Sequence, residues 1–258
     1  MVGSIKKLFA HPDTRDLGID DPRTTERRRE IILGNRFLWR VYDEWYRLIS
    51  DCIPDGPGRV LELGSGAGFL AKYIPEIITS EVFPCSDIQL VLDARSLPFS
   101  RGSLKAIAMV DVLHHIPDNR AFLTEAQRCL RPGGSIVMIE PWVSTWSRQI
   151  YTRLHHEPFV PEAADWTFPA SGPLSGANGA LPWIIFQRDR RHFESEFEEL
   201  EIQTVQPFMP FRYLVSGGVS MRQLMPQATF DLWRAAESWL GRWSHHWSMF
   251  ALIRLKRR

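Results

Sequence analysis

Cysteine is scarce in this 258-residue chain: Cys52, Cys85 and Cys129 are an odd number at unrelated spacings, with no CxxC pair. That argues against a disulfide framework and a cysteine-built zinc site, and for a reducing compartment, so the expected location is the cytoplasm. No apolar run approaches the roughly 20 residues of a membrane span, and no apolar core follows a basic start. Excess charge is missing too. Lys and Arg number 31 against 30 Asp and Glu, a formal net charge of +1, so no whole-chain field attracts nucleic acid. The local basic runs "ERRRE" at 26–30 and "RLKRR" at the C-terminus read as solvated surface. Internal repeats are absent as well.

What is present is an ordinary globular composition, 44% apolar and 24% charged, in a chain long enough for one large α/β domain. Residues 1–23 mix Pro, Gly and Asp without periodicity and read as an arm. From Thr24 to Ser50 the pattern turns helical, with Leu38, Val41, Tyr42, Trp45, Leu48 and Ile49 on one buried face. "PDGPG" breaks the chain before "RVLEL". Four further strands are expected at "EIITSEV", "IQLVLD", "LKAIAMVD" and "SIVMIEP". Between the last two, Asp118 caps a helix that "RPGG" ends. Near-continuous Val, Ile and Leu runs mark strands buried on both faces of a parallel sheet, which is the doubly wound α/β class. Beyond Pro141 a helix at 183–197, a strand "LEIQTVQ", a Trp-rich helix at 229–243 and a final strand "SMFALIRL" follow.

The stretch "RVLELGSGAGFLAKYI" carries a glycine turn between strand and helix. Gly64 and Gly66 fit the first two positions of the dinucleotide fingerprint G-x-G-x-x-G, but the third falls on Phe69. No Gly-Lys-Ser/Thr follows, so it is not a phosphate-binding P-loop. Glu62 stands two residues before Gly64, a poor neighbour for a pyrophosphate and a good one for a cation. S-adenosylmethionine, with a sulfonium, an ammonium and one carboxylate, suits such a turn. Bare glycine backbone admits its amino-acid end, and the following helix N-terminus favours its carboxylate. That helix, starting near Ala67, is expected to last only two turns before Pro75. Glu81, Asp93 and Asp111 end the second, third and fourth strands, so their carboxylates point into one crevice.

"VLELGSGAGF", "LDARSLPF", "VDVLHHIPD" and "CLRPGGSIVMIEPW" together resemble the successive motifs of class I S-adenosylmethionine-dependent methyltransferases of the small-molecule type, over about residues 59–142. The resemblance implies a mostly parallel seven-stranded sheet with the last strand antiparallel. It also implies an enzyme that uses S-adenosyl-L-methionine and releases S-adenosyl-L-homocysteine. Cofactor contacts are expected from Glu62, Gly64, Ser65, Gly66, Gly68, Glu81, Asp93, Ala94, Asp111 and Leu113. In domain terms, residues 1–55 are an N-terminal arm and helix before a methyltransferase domain at 56–258. That domain divides into a cofactor half at 59–142, an acceptor cap at 142–198 and a further cap segment at 207–228. One departure from the family is that only seven residues separate Glu81 from Gln89, so the usual crossover helix shrinks to a loop. Asp87 then competes with Glu81 for the ribose; Glu81 is favoured because Pro84 interrupts any strand leading to Asp87.

The acceptor is expected to be a small molecule, bulky and apolar or glycosidic. Trp142, Trp146, Tyr151, Trp166, Trp183 and the segment "PFMPFRYLVSGG" are candidate walls of its pocket under a mobile lid. His115, with His114 beside it, and His155 and His156 are candidate general bases. Adjacent helical histidines face about 100° apart and seldom share an ion, so no metal is expected. The alternative to an enzyme is a catalytically silent cofactor-binding partner. A nicotinamide oxidoreductase is disfavoured by Phe69 and Glu62, and the oligomeric state is left open.

Overall fold

The computed structural model describes residues 20–155, 157–170 and 176–258, together with residues 11, 18, 172 and 174; His156 lies outside them. The core is a seven-stranded sheet in the order β3-β2-β1-β4-β5-β7-β6. Strands β1 (Arg59–Leu63), β2 (Ile77–Glu81), β3 (Leu90–Val91), β4 (Leu104–Val110) and β5 (Leu130–Pro141) are mutually parallel. Strand β7 (Phe250–Arg257) runs antiparallel between β5 and β6 (Leu200–Phe208). The strand order reverses between β1 and β4, and a crevice opens there at the carboxyl ends. Residues Ile136 to Ile139 of β5 are completely buried, as unbroken apolar runs require. β3 is the exception: Leu90 and Val91 are exposed on a two-residue edge strand. Among the described residues no helix is long and apolar enough to cross a membrane.

The single helix expected over Thr24–Ser50 is two. Helix α1 (Pro22–Gly34) is N-capped by Asp21, and α2 (Arg36–Cys52) is capped by Asn35, whose side chain accepts from Phe37 N and Leu38 N. Gly34-Asn35 carries both the stop and the restart, so the chain turns where the apolar pattern alone continues. The buried face of α2 contains Leu38, Val41, Tyr42, Trp45 and Ile49 as expected, with Tyr46 where Leu48 was expected. Leu48 is exposed instead. Trp45 stacks on Tyr213 at 5.4 Å and meets Phe250 at 4.8 Å, so α2 is fastened to the start of β7.

The helix expected after the glycine turn is reduced to one 3-10 turn, Leu70–Lys72. Phe69, in the position of the third glycine, is buried against Trp39 at 5.7 Å and Tyr46 at 4.8 Å. A large ring there fills the space in which a helix would pack on the strand. Between β2 and β3 the crossover is a loop, as the spacing predicts. Asp118 caps α3 (Asn119–Cys129) by accepting from Ala121 N at 3.0 Å. Ser144 and Ser147 form a reciprocal cap for α4 (Thr145–Leu154). The helix expected at 183–197 is interrupted by a π-helical stretch at Ile184–Arg188 before α5 (Arg190–Glu196).

Candidate active site

A cavity of about 650 Å³ opens at the carboxyl ends of β1, β2 and β4. Of the cofactor residues expected from sequence, Glu62, Gly64, Gly68, Glu81, Asp93, Ala94 and Asp111 line it. Ser65, Gly66 and Leu113 stand behind the lining. Ser65 Oγ accepts from Ser80 N at 3.1 Å, and Gly66 N donates to Glu81 Oε2 at 3.2 Å. Gly64 has φ +67°, and a Cβ there would strike the Val112 side chain. Gly66 has no room either, because Thr25 of α1 and Glu81 press against it. The turn is thus shaped for close backbone approach, and α1 is packed directly upon it.

Four carboxylates share this crevice, in different electrostatic states. Burial pushes Glu62 up to about 7, a Ser65 hydrogen bond works against that, and the charge of Glu81 adds to it. Burial raises Glu81 too, although Val82 N at 2.9 Å and Gly66 N hold its two oxygens in place. Asp93 moves the other way. Arg95 grips it with a side-chain contact of 2.7 Å and a backbone N–H at 2.8 Å, and holds it below the usual carboxylate range. Asp111 follows β4 with φ +60°, a left-handed conformation uncommon outside glycine. Its carboxyl is pushed up to about 7 by burial; the charge of His114 lowers it, while Glu140 and Glu157 raise it. Buried carboxylates poised near neutrality form a receptor for positive charge. Asp87 lies outside the lining, pairs with Arg29 at 3.2 Å and is 69% exposed.

The 3-10 turn after β4, Leu113–His115, is organised by a residue that the motif reading passed over. Glu140, fully buried at the end of β5, accepts from Val112 N at 2.8 Å, Leu113 N at 2.7 Å and His114 Nδ1 at 2.7 Å. His114 Nε2 lies 3.4 Å from Glu157, which comes from the segment after α4. Burial alone would drive the His114 imidazole down, but its contacts with Glu140 and Glu157 outweigh that and hold it well above its ordinary value. His114 is therefore a buried cation bridging sheet and cap. His115 is its opposite: burial and the neighbouring His114 charge push it down to about 4. Its Nδ1 lies 3.3 Å from the Gly176 carbonyl, and its ring lines the cavity. A Glu closing an otherwise apolar strand, in "VMIEPW", is the signal that could have found Glu140.

Of the other candidate bases, His155 is not at the cavity. His155 packs edge-on to Tyr151 at 5.7 Å and is absent from the lining; His156 lies outside the described residues. Nor do the expected aromatic walls reach it. Trp142, Tyr151 and Trp166 are buried in the core. Tyr151 donates to Met249 O at 2.9 Å and Trp166 to Asp189 at 3.0 Å. Trp146 donates to Pro210 O at 3.1 Å, and Trp183 packs partly buried against the core. The cap side of the lining is instead Phe168, Ala170, Gly172, Leu174 and Val219, the last just beyond "PFMPFRYLVSGG", while α1 and α2 contribute Thr25, Arg28, Tyr42 and Tyr46. These cap residues sit on loops without periodicity, so no pattern marks them.

Residues 61–138 match the model of a methyltransferase domain family. Over 85 residues the chain is 31% identical to 2-methyl-6-phytyl-1,4-hydroquinone methyltransferase from Synechocystis, covering 33% of this chain and 26% of that protein. It is 26% identical over 171 residues to a ubiquinone/menaquinone biosynthesis C-methyltransferase from Geobacter, covering 54% of this chain and 66% of the relative. The chain thus spans about a quarter of the first relative and just under two thirds of the second. Among solved structures, geranyl diphosphate C-methyltransferase from Streptomyces coelicolor A3(2) has the same fold. Its complex with Mg²⁺, geranyl-S-thiolodiphosphate and S-adenosyl-L-homocysteine superposes with a TM-score of 0.51 at 13% identity, over 86% of this chain and 78% of that one.

Proposed function

We propose that this chain, whose residues 61–138 match a methyltransferase domain family and whose fold is that of a solved methyltransferase, transfers a methyl group from S-adenosyl-L-methionine to a small, largely apolar acceptor. The observation that carries the reading is the convergence of Glu62, Glu81, Asp93 and Asp111 on one cavity beside a glycine turn. In this reading Glu62 and Asp111 face the ammonium and sulfonium end, Glu81 the ribose hydroxyls, and Asp93 the adenine amino group. Glu81 is preferred over Asp87 for the ribose because Asp87 is exposed and tied to Arg29 outside the lining.

An apolar acceptor is supported by Phe168, Ala170, Leu174 and Val219, which wall the cavity on the cap side. The quinone and prenyl acceptors in the names of the relatives above agree with that character. The cofactor brings an already activated methyl group. The protein has to hold the nucleophile in line with it and exclude water. His115 is the one described histidine candidate that lines the cavity, and its depressed pKa keeps the imidazole neutral at pH 7. Nδ1 lies against the Gly176 carbonyl and Nε2 lies 3.6 Å from Glu157, so a proton from a hydroxyl or amine acceptor would reach Nε2 in competition with that carboxylate. So weak a base belongs at the lower end of the general-base range, about 10²-fold.

The test uses labelled S-adenosylmethionine with a panel of prenylated quinols, phenols and terpenoid alcohols, alongside neutral polar controls. Transfer to one apolar class, with a loss of kcat in His115→Ala and unchanged S-adenosylhomocysteine affinity, is the expected result. Tight cofactor binding with no transfer to any member of the panel would favour the silent-partner alternative.

A further inference from the structure

The proposed cofactor is a zwitterion at its amino-acid end, and the cavity offers its carboxylate an unexpected host. The usual receptor, a helix N-terminus after the glycine turn, is missing: only the three-residue 3-10 turn Leu70–Lys72 follows, with Phe69 before it and no side-chain cap. The lining is otherwise rich in carboxylates that would repel another. Two arginines line it, Arg28 and Arg95. Arg95 is consumed by Asp93 at 2.7 Å.

Arg28 is not consumed. In the run Arg27-Arg28-Arg29 of α1, the outer two turn away from the cavity: Arg27 pairs with Glu30 at 2.5 Å and Arg29 with Asp87 at 3.2 Å. Arg28, between them, lines the cavity, and its Nε is buried without a hydrogen-bond partner. The basic run that reads as solvated surface in the sequence therefore sends its middle member inward. Arg28 lies one helical turn from Thr25, whose methyl packs on Gly66 of the glycine turn, and its charge is felt at Asp111. It thus stands over the amino-acid end of the proposed site. Arg28 as a whole is half-buried, but a guanidinium N–H shut away from water without a partner is costly unless a ligand completes it.

We infer that Arg28 binds the α-carboxylate of S-adenosylmethionine and S-adenosylhomocysteine, so that α1 supplies the anion receptor the shortened helix after β1 cannot. The inference rests on the methyltransferase reading. It makes α1 part of the binding site and couples the seating of the N-terminal helices to cofactor occupancy. Tyr42 and Tyr46 of α2, also in the lining, complete this roof.

The experiment is isothermal titration of the full chain and its Arg28→Gln and Arg28→Lys variants. Each is titrated with S-adenosylhomocysteine and with its decarboxylated analogue, which keeps the amine and lacks only the carboxylate. The expected result is a loss of about 10- to 100-fold for S-adenosylhomocysteine in Arg28→Gln, the span of a charge-assisted hydrogen bond. Arg28→Lys should recover part of it, and the analogue should bind wild type and Arg28→Gln within about twofold. Equal losses for both ligands would overturn the inference by making Arg28 a structural prop. Unchanged S-adenosylhomocysteine affinity with a raised acceptor KM would overturn it in favour of an anionic acceptor. Folded wild-type protein that binds neither ligand would sink the cofactor reading first, and the inference with it.

Discussion

The two sides of the cavity are built in opposite ways. On the sheet side, each functional group is a carboxylate at or near the end of a strand, Glu62, Glu81, Asp93 and Asp111, of which Glu81 is held by backbone N–H groups and Asp93 by Arg95. On the cap side, the lining is small or apolar and sits on irregular chain, while the large aromatics of the same region, Trp142, Tyr151 and Trp166, are buried as core. A sheet fixes direction, because a residue's place on a strand determines where its side chain points. A cap has no such rule. Binding groups can therefore be placed on the first side by counting residues, and on the second only by packing.

The joint between the two sides is the His114 bridge, and breaking it carries the largest expected effect. Glu140→Ala removes the acceptor for two backbone N–H groups and leaves the buried His114 cation half-paired. A cost of about 3–5 kcal/mol in unfolding free energy is expected by chemical denaturation, with weakened cofactor binding in whatever protein stays folded. On the cap, Trp45→Ala removes the ring that fastens α2 to Tyr213 and Phe250, at about 3–5 kcal/mol in the same measurement.

A subtler contrast lies in pH. Glu62 and Asp111 titrate near 7 in the empty protein, above their unfolded values, so the stability they contribute is full below about pH 4 and is lost as pH rises through about 7. A cationic ligand prefers them ionised, so its affinity should move the other way. Between pH 6 and pH 8, S-adenosylmethionine affinity should rise about tenfold for each such carboxylate it engages. Glu62→Gln should flatten the profile by one carboxylate's share. The smallest effect separates true lining from core aromatic: Phe168→Ala should raise the acceptor KM by about tenfold, and Trp146→Ala by less than about threefold.

Legibility in the sequence follows the same division. The succession of strands, the glycine turn and the four carboxylates are readable because unbroken apolar runs end on them. Glu140 hides inside "VMIEPW", since one Glu closing a strand looks like solvated edge until Val112, Leu113 and His114 converge on it. Glu157 reads as a neighbour of His155 and His156, yet its carboxylate reaches His114 and His115 across the fold. Arg28 is masked by its flanking arginines, because three identical charges on one helix carry no sign of which one turns inward. The sequence predicts two helical turns from near Ala67 to Pro75, where one 3-10 turn, Leu70–Lys72, forms. Aromatic packing of Phe69 against Trp39 and Tyr46, set by tertiary contact, decides the rest.

The central claim is that the acidic crevice beside the glycine turn is an S-adenosylmethionine site. Its most direct test is calorimetric titration of wild-type, Glu62→Ala and Asp93→Ala protein with S-adenosylmethionine and S-adenosylhomocysteine. Micromolar binding of both ligands, weakened about tenfold or more by each substitution, is the predicted result. Folded wild-type protein with no affinity for either ligand, or affinity that neither substitution changes, would contradict it.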